Sequence, residues 1–243
     1  MKWHPVPGTV LEDADAEEFP EADGYRDAGA GRVLDVEEVC SRRASGIRWI
    51  LNLLKTIDAR SPVFSCLGLH EWAMVYEEKD IRHSQLPLRL SHEETRRVVE
   101  TYPMRCTHFD AFRFFSESAR PLNASVLTSE TRTEHEQPGC LHANMDLFKW
   151  CMKLQPLVPS SLTLRCFEMA CRAREVDMQA SPYDLSEYGK VPIKIETASG
   201  RSEYVQAQQE IAREGGPLRR ELIQVLSDLE DLLCKSDPQR SDR

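Results

Sequence analysis

CLHANMDLFKWCMKLQPLVPSSLTLRCFEMACRAREVDMQA, from Cys140 to Ala180, contains two helical patterns separated by prolines. In the first, Leu141, Met145, Phe148 and Met152 recur at spacings of three and four, which predicts a helix over Cys140–Lys153 with that stripe turned inward. Pro156 and Pro159 close it, since proline lacks the amide a helix interior needs. Ser160 is placed to cap a second helix from Ser161 to about Gln179, with Leu164, Phe167 and Cys171 expected inside and Pro182 as its stop. Outward from this pair the same period continues. Val39, Ile47, Ile50, Leu51 and Leu54 predict a helix from Val36 to about Ile57, ended by Ser61-Pro62. Ser91 followed by Glu94 has capping-box spacing and opens a helix to Thr101. Beyond Ser199-Gly200 the pattern is helical to about Arg213, is expected to break at Gly215-Gly216-Pro217, and resumes through Leu218, Leu222, Val225, Leu229 and Leu232. Only Val191, Ile193 and Ile195 alternate with period two. The reading is a mainly α protein: a single helical domain over residues 32–235 with at most one short extended or β element near 191–195, and a polar, disordered tail at 236–243.

The chain has 243 residues, 41% hydrophobic and 29% charged, the balance of a globular protein. No apolar run reaches the roughly 18 residues of a membrane span, and MKWHPVPG has no signal-peptide pattern. Eight cysteines lie scattered without a C-x-x-C pair, which suits free thiols in a reducing compartment. A cytoplasmic location is therefore expected. The formal net charge of −9 is uneven: eight acids against Arg26 between Glu12 and Asp27 account for −7 of it. That stretch is expected to form a flexible acidic loop inside an N-terminal segment, residues 1–31. The remainder offers no concentrated basic surface for DNA.

Chemistry concentrates where ionisable residues interrupt apolar runs. VFSCLGLHEWAMVY (Val63–Tyr76) carries His70 and Glu71; CTHFDAFRFF (Cys106–Phe115) carries His108 and Asp110; the helix after Cys140 carries His142 and Asp146 one turn apart, with Glu136 ahead of it. A charge or imidazole removed from water costs several kcal/mol unless it is partnered, so these groups are cheapest when they satisfy one another or a cation. Histidines and carboxylates in apolar surroundings suit iron, zinc or manganese. His70, His108, His142 and Glu136 are the expected metal ligands, and Glu71, Asp110 and Asp146 the expected acid/base residues. Arg82 and Arg113, with Trp72, are expected to hold a small-molecule substrate. Cys106 beside His108 is a weaker nucleophile arrangement.

LHEWAMVY (Leu69–Tyr76), RHSQLPLRL (Arg82–Leu90), CTHFDAFRFF (Cys106–Phe115), ARPLN (Ala119–Asn123), EQPGCLHANMDLFKW (Glu136–Trp150), DMQASPYDL (Asp177–Leu185) and PIKIETASGRSEYVQAQ (Pro192–Gln208) together resemble a group of actinobacterial and plant proteins labelled 3-methyladenine DNA glycosylase. The resemblance implies base excision from DNA, and an additional N-terminal segment ahead of the point where this chain starts. The residues themselves point elsewhere. A helix-hairpin-helix glycosylase needs a glycine-rich hairpin on phosphate and an aspartate about twenty residues on. Gly215-Gly216-Pro217 is the only comparable cluster, and Asp231, the aspartate weighed against that spacing, lies in a leucine-rich C-terminal helix. The expectation is thus a cytoplasmic small-molecule enzyme with a buried His/carboxylate, metal-binding centre and no DNA or membrane partner. The alternatives are the glycosylase and a noncatalytic interaction protein.

Overall fold

A computed structural model describes residues 10–12, 24–27, 29 and 31–236. Among these residues three short strands, β1 (Val10–Glu12), β2 (Tyr25–Asp27) and β3 (Gly31–Leu34), precede eight α-helices: α1 (Val36–Asp58), α2 (Leu69–Ala73), α3 (His92–Thr101), α4 (Phe109–Phe112), α5 (Arg132–His135), α6 (Leu141–Lys153), α7 (Ser160–Ala180) and α8 (Ala198–Ser236). The protein is mainly α with one small sheet.

That sheet does not lie near 191–195. β3 runs between β1 and β2, antiparallel to both, with Val10 opposite Val33 and Tyr25 opposite Leu34. Gly29, at φ 77°, sits between β2 and β3, a backbone state that glycine reaches without steric cost. Most of the acidic stretch and the tail from 237 lie outside the described residues. The 191–195 segment buries Ile193 and Ile195 as its alternation suggests, but it enters no ladder. The Ile193 amide donates to the Gln179 carbonyl at 2.9 Å, and that of Ile195 to Ile193 itself. A two-residue alternation therefore reports which side chains are buried, while pairing needs a partner strand that this segment lacks.

The chain forms two compact units. One comprises residues up to Thr56 with Leu147–Phe167 and Pro217 onward; the other comprises Ile57–Asp146 and Glu168–Gly216. In the first, Trp49 and Trp150 meet edge to face at 5.5 Å. In the second, Leu69, Trp72, Val99, Met104, Phe112, Phe115, Ile193, Ile195 and Tyr204 belong to one apolar core.

α3 starts as its sequence predicts. Ser91 Oγ accepts from the Glu94 amide at 3.3 Å and Glu94 Oε2 accepts from the Ser91 amide at 3.0 Å, the reciprocal capping box. Ser91→Ala is expected to cost about 1 kcal/mol, seen as a lower denaturant midpoint with an unchanged slope.

Two helices differ from their expected phase. On α7 the buried residues are Leu162, Cys166, Met169, Ala173, Asp177 and Ala180, whereas Leu164, Phe167 and Cys171 are exposed. On α6, Leu141 is buried but Met152 is 52% exposed, and Ala143, Asn144, Leu147, Trp150 and Cys151 turn inward. Each helix carries two apolar stripes. On α7 the bulkier one faces outward, where Phe167 packs on the half-buried Phe148 of α6 at 5.2 Å. The small residues Cys166 and Ala173 on the inner stripe of α7 permit close approach. The expected break at Gly215-Gly216-Pro217 is also absent, and α8 runs through it with Pro217 in its interior. Gly215 serves proximity instead: a Cβ there would lie 2.1 Å from Asn144 Oδ1.

Candidate functional site: two histidine–carboxylate groups

α2 is preceded by Leu67 and Gly68, both left-handed at φ 54° and 75°. A side chain on Gly68 would crowd Ala180 and Tyr204 at 3.2 and 3.3 Å, so the tight turn seats α2 deep enough to bury all five of its residues, His70 and Glu71 included. The turn's strained non-glycine residue, Leu67, costs of order 1–3 kcal/mol that the surrounding packing must offset.

Burial forces His70 to find partners at both ring nitrogens. Nε2 lies 2.7 Å from Asp177 Oδ1 and Nδ1 3.3 Å from Cys66 Sγ. Asp177, fully buried on the inner stripe of α7, is the hub of the group. Its Oδ2 accepts from Arg174 Nη1 at 2.8 Å and lies 3.8 Å from His142 Nε2. Glu71 Oε1 completes the set, 3.9 Å from His70 Nε2 and 3.6 Å from Arg174 Nη1.

A second group forms beside the first. His108, buried ahead of α4, places Nε2 3.1 Å from Asp146 Oδ2 and 3.7 Å from Glu136 Oε1. Arg132, on α5, lies 3.6 Å from Glu136 and grips Asp110 through both terminal nitrogens at 3.0 Å. His142 joins the groups, edge-on to the His70 ring at 4.6 Å and stacked on the His108 ring at 5.4 Å. Within His70–Glu71–His142–Asp177, and within His108–Glu136–Asp146, one ligand atom per residue lies within 4.8 Å of every other.

The electrostatics follow from burial opposed by neighbouring charge. Desolvation alone would lower His70, but the Asp177 carboxylate and the Cys66 sulfur outweigh it and hold the imidazole well above its ordinary value. Desolvation would likewise raise Asp177, yet His70, His142 and Arg174 keep it below the usual carboxylate range. For His142 desolvation wins and pushes it down to about 3, leaving a neutral imidazole with its lone pair available. Glu71, raised by burial and then by Asp177, reaches about 7. The Cys66 thiol is held well below its ordinary value, first by its hydrogen bond with Cys106 and further by His70. Cys106 is correspondingly pushed up, and its sulfur points 3.6 Å from the His108 carbonyl, an inert packing role.

Of the residues singled out from sequence, His70, Glu71, His108, Glu136, His142 and Asp146 come together in these two groups. Asp110 lies one step removed, held by Arg132 and 3.6 Å from Arg113 Nε. Arg82 and Arg113 both cover the Phe114 ring, at 4.2 and 4.5 Å, and belong to neither group. Trp72 is fully buried, its indole donating to the Ala180 carbonyl at 2.9 Å. Asp177, Arg174, Arg132 and Cys66 were not anticipated. The signal for Asp177 was the inner stripe of α7 itself, on which it is the one carboxylate. No protein-family model, no curated protein and no solved structure matches this chain.

Proposed function

We propose that the chain is a cytoplasmic enzyme that transforms a small molecule at a divalent transition-metal centre. His70, Glu71, His142 and Asp177 are the residues to hold one ion, with His108, Glu136 and Asp146 offering a second position. One observation carries the reading: three histidines from separate stretches of sequence each direct Nε2 toward buried carboxylates in a single unit. Ordinary core histidines satisfy themselves one at a time.

The donor chemistry fits such an ion. Imidazole with carboxylate suits iron, manganese or zinc. His70 has its second ring nitrogen anchored, Nδ1 resting on Cys66 while Nε2 faces the centre, and an ion bound there would displace the ring's proton. Among the described residues His108 Nδ1 is buried with no hydrogen-bond partner, so that ring's useful nitrogen is the one facing Glu136 and Asp146. A bound ion would supply Lewis acidity or redox capacity. Arg174 and Arg132 orient the carboxylates, and Glu71, at the edge of the first group, would offer one oxygen to the ion and keep the other to accept a proton from a substrate.

Metal analysis of protein purified without an affinity tag is expected to find about one equivalent or more of iron, manganese or zinc per chain. Less than about a tenth of an equivalent, with no uptake on dialysis against those ions, would remove the metal from this reading. The glycosylase activity carried by the resemblance finds less support. The three residues nearest to a glycine-rich hairpin lie inside α8, and base extrusion costs a few kcal/mol that a chain of net charge −9 is poorly placed to recover. No release of 3-methyladenine from methylated duplex DNA above the spontaneous rate is expected. Release that depends on Asp146 would replace the small-molecule reading with the glycosylase.

A further inference from the structure

A cleft of about 220 Å³ has Glu71 and Arg174 among its lining residues, the two members of the first group that stand at its rim. Leu86, Met178, Tyr183, Leu185 and Tyr188 supply most of its wall. The polar side chains among them are largely engaged: Ser181 Oγ donates to the Met178 carbonyl at 2.7 Å and Tyr183 Oη to the Arg82 carbonyl at 2.6 Å. Arg174 differs. Its Nη1 is directed inward to Asp177 and Glu71, while among the described residues its Nε and Nη2 make no hydrogen bond, and the side chain is 50% exposed. Nε–H and Nη2–H form the edge of a guanidinium that matches two carboxylate oxygens.

We propose that this cleft binds a small carboxylic acid with an apolar body, its carboxylate on the free edge of Arg174 and its body against Leu86, Met178 and Leu185. An uncharged ligand of the same shape would leave that edge unanswered; an amine would meet the guanidinium's own charge there, and Glu71, which also lines the cleft, already faces Arg174 Nη1 at 3.6 Å. The inference rests on the proposed function in one respect: it takes the Glu71–Arg174 floor as the end where reaction occurs. Arg174 would then tie the substrate's head to Asp177, the hub of the group, through opposite sides of one rigid plane.

The test uses three probes with one branched apolar body, the isosteric 4-methylpentanoic acid and its primary amide and the smaller 3-methylbutylamine, titrated calorimetrically into the full chain with metal content measured on the same sample. The acid is expected to bind at least about ten-fold more tightly than the amide, the worth of charge-assisted hydrogen bonds, and the amine not at all. Arg174→Gln should erase the preference for the acid over the amide, and Arg174→Lys, which keeps the charge without the fork, should recover only part of it. Leu185→Trp should weaken acid and amide together. Equal binding of acid and amide, or preference for the amine, overturns the proposal. Acid binding in a preparation that holds no metal upholds the cleft and removes the metal reading. Metal retained without acid binding does the reverse.

Discussion

Asp177→Ala is expected to lower stability by about 3–5 kcal/mol and to abolish binding at the first metal position, because it leaves buried positive charge without its counter-ion. The carboxylate is fully buried and serves three partners: His70 at 2.7 Å, Arg174 at 2.8 Å and His142 at 3.8 Å. Removing it strands an imidazole held protonated by that very charge. Arg174 is half exposed and can turn to water, so most of the cost falls on His70. Asp177→Asn separates structure from ligation. An amide oxygen can still accept from His70, so denaturant unfolding should show a smaller loss than for alanine, while metal content falls to a similar extent in both. If the asparagine variant keeps its full complement of metal, Asp177 is a structural counter-ion and the centre has to be built from the remaining residues.

The helices were legible because periodicity and capping are local. α1 and α3 follow the predicted spans closely, and the Ser91–Glu94 exchange forms as the spacing implies. What failed was the choice between two apolar faces on one helix. Leu164 and Phe167 outrank Cys166 and Ala173 in hydrophobicity, yet they lie outside, because the inner face must admit close neighbours. That single phase error concealed Asp177, which follows Ala173 by four residues on the buried stripe. The histidines and Glu71 were found by a different route, the cost of placing charge inside apolar runs, which needs no knowledge of phase. Glycines misled in the opposite sense. Gly215 reads locally as a breaker, whereas its purpose is close approach to Asn144, whose Oδ1 would lie only 2.1 Å from a Cβ there, a residue some seventy positions away that no local pattern can reveal.

Removing the metal is expected to lower the melting temperature, and restoring it to raise the temperature again in a concentration-dependent way. An ion that binds the folded chain alone adds stability as RT ln(1 + [M]/Kd), about 2.7 kcal/mol at a hundred-fold excess over Kd, or roughly 5–10 °C for a chain of this size. Without it, the first group balances the two acids Glu71 and Asp177 against Arg174 and His70, while neutral His142 contributes a lone pair and no charge. His142→Ala should therefore reduce the metal-dependent rise strongly while costing little electrostatic stability in chelated protein. Asp146→Ala should act on the second position and, because it removes an anion facing buried His108 at 3.1 Å, should also destabilise the chelated form. Parallel melts in chelator and in added manganese, iron(II) or zinc distinguish these effects. A chain whose melting temperature ignores both chelation and added ion, with His142→Ala and Asp146→Ala changing stability alone, would carry histidine–carboxylate pairs that are internal struts, and it would be a noncatalytic interaction protein if turnover and ligand binding were also unchanged in both variants.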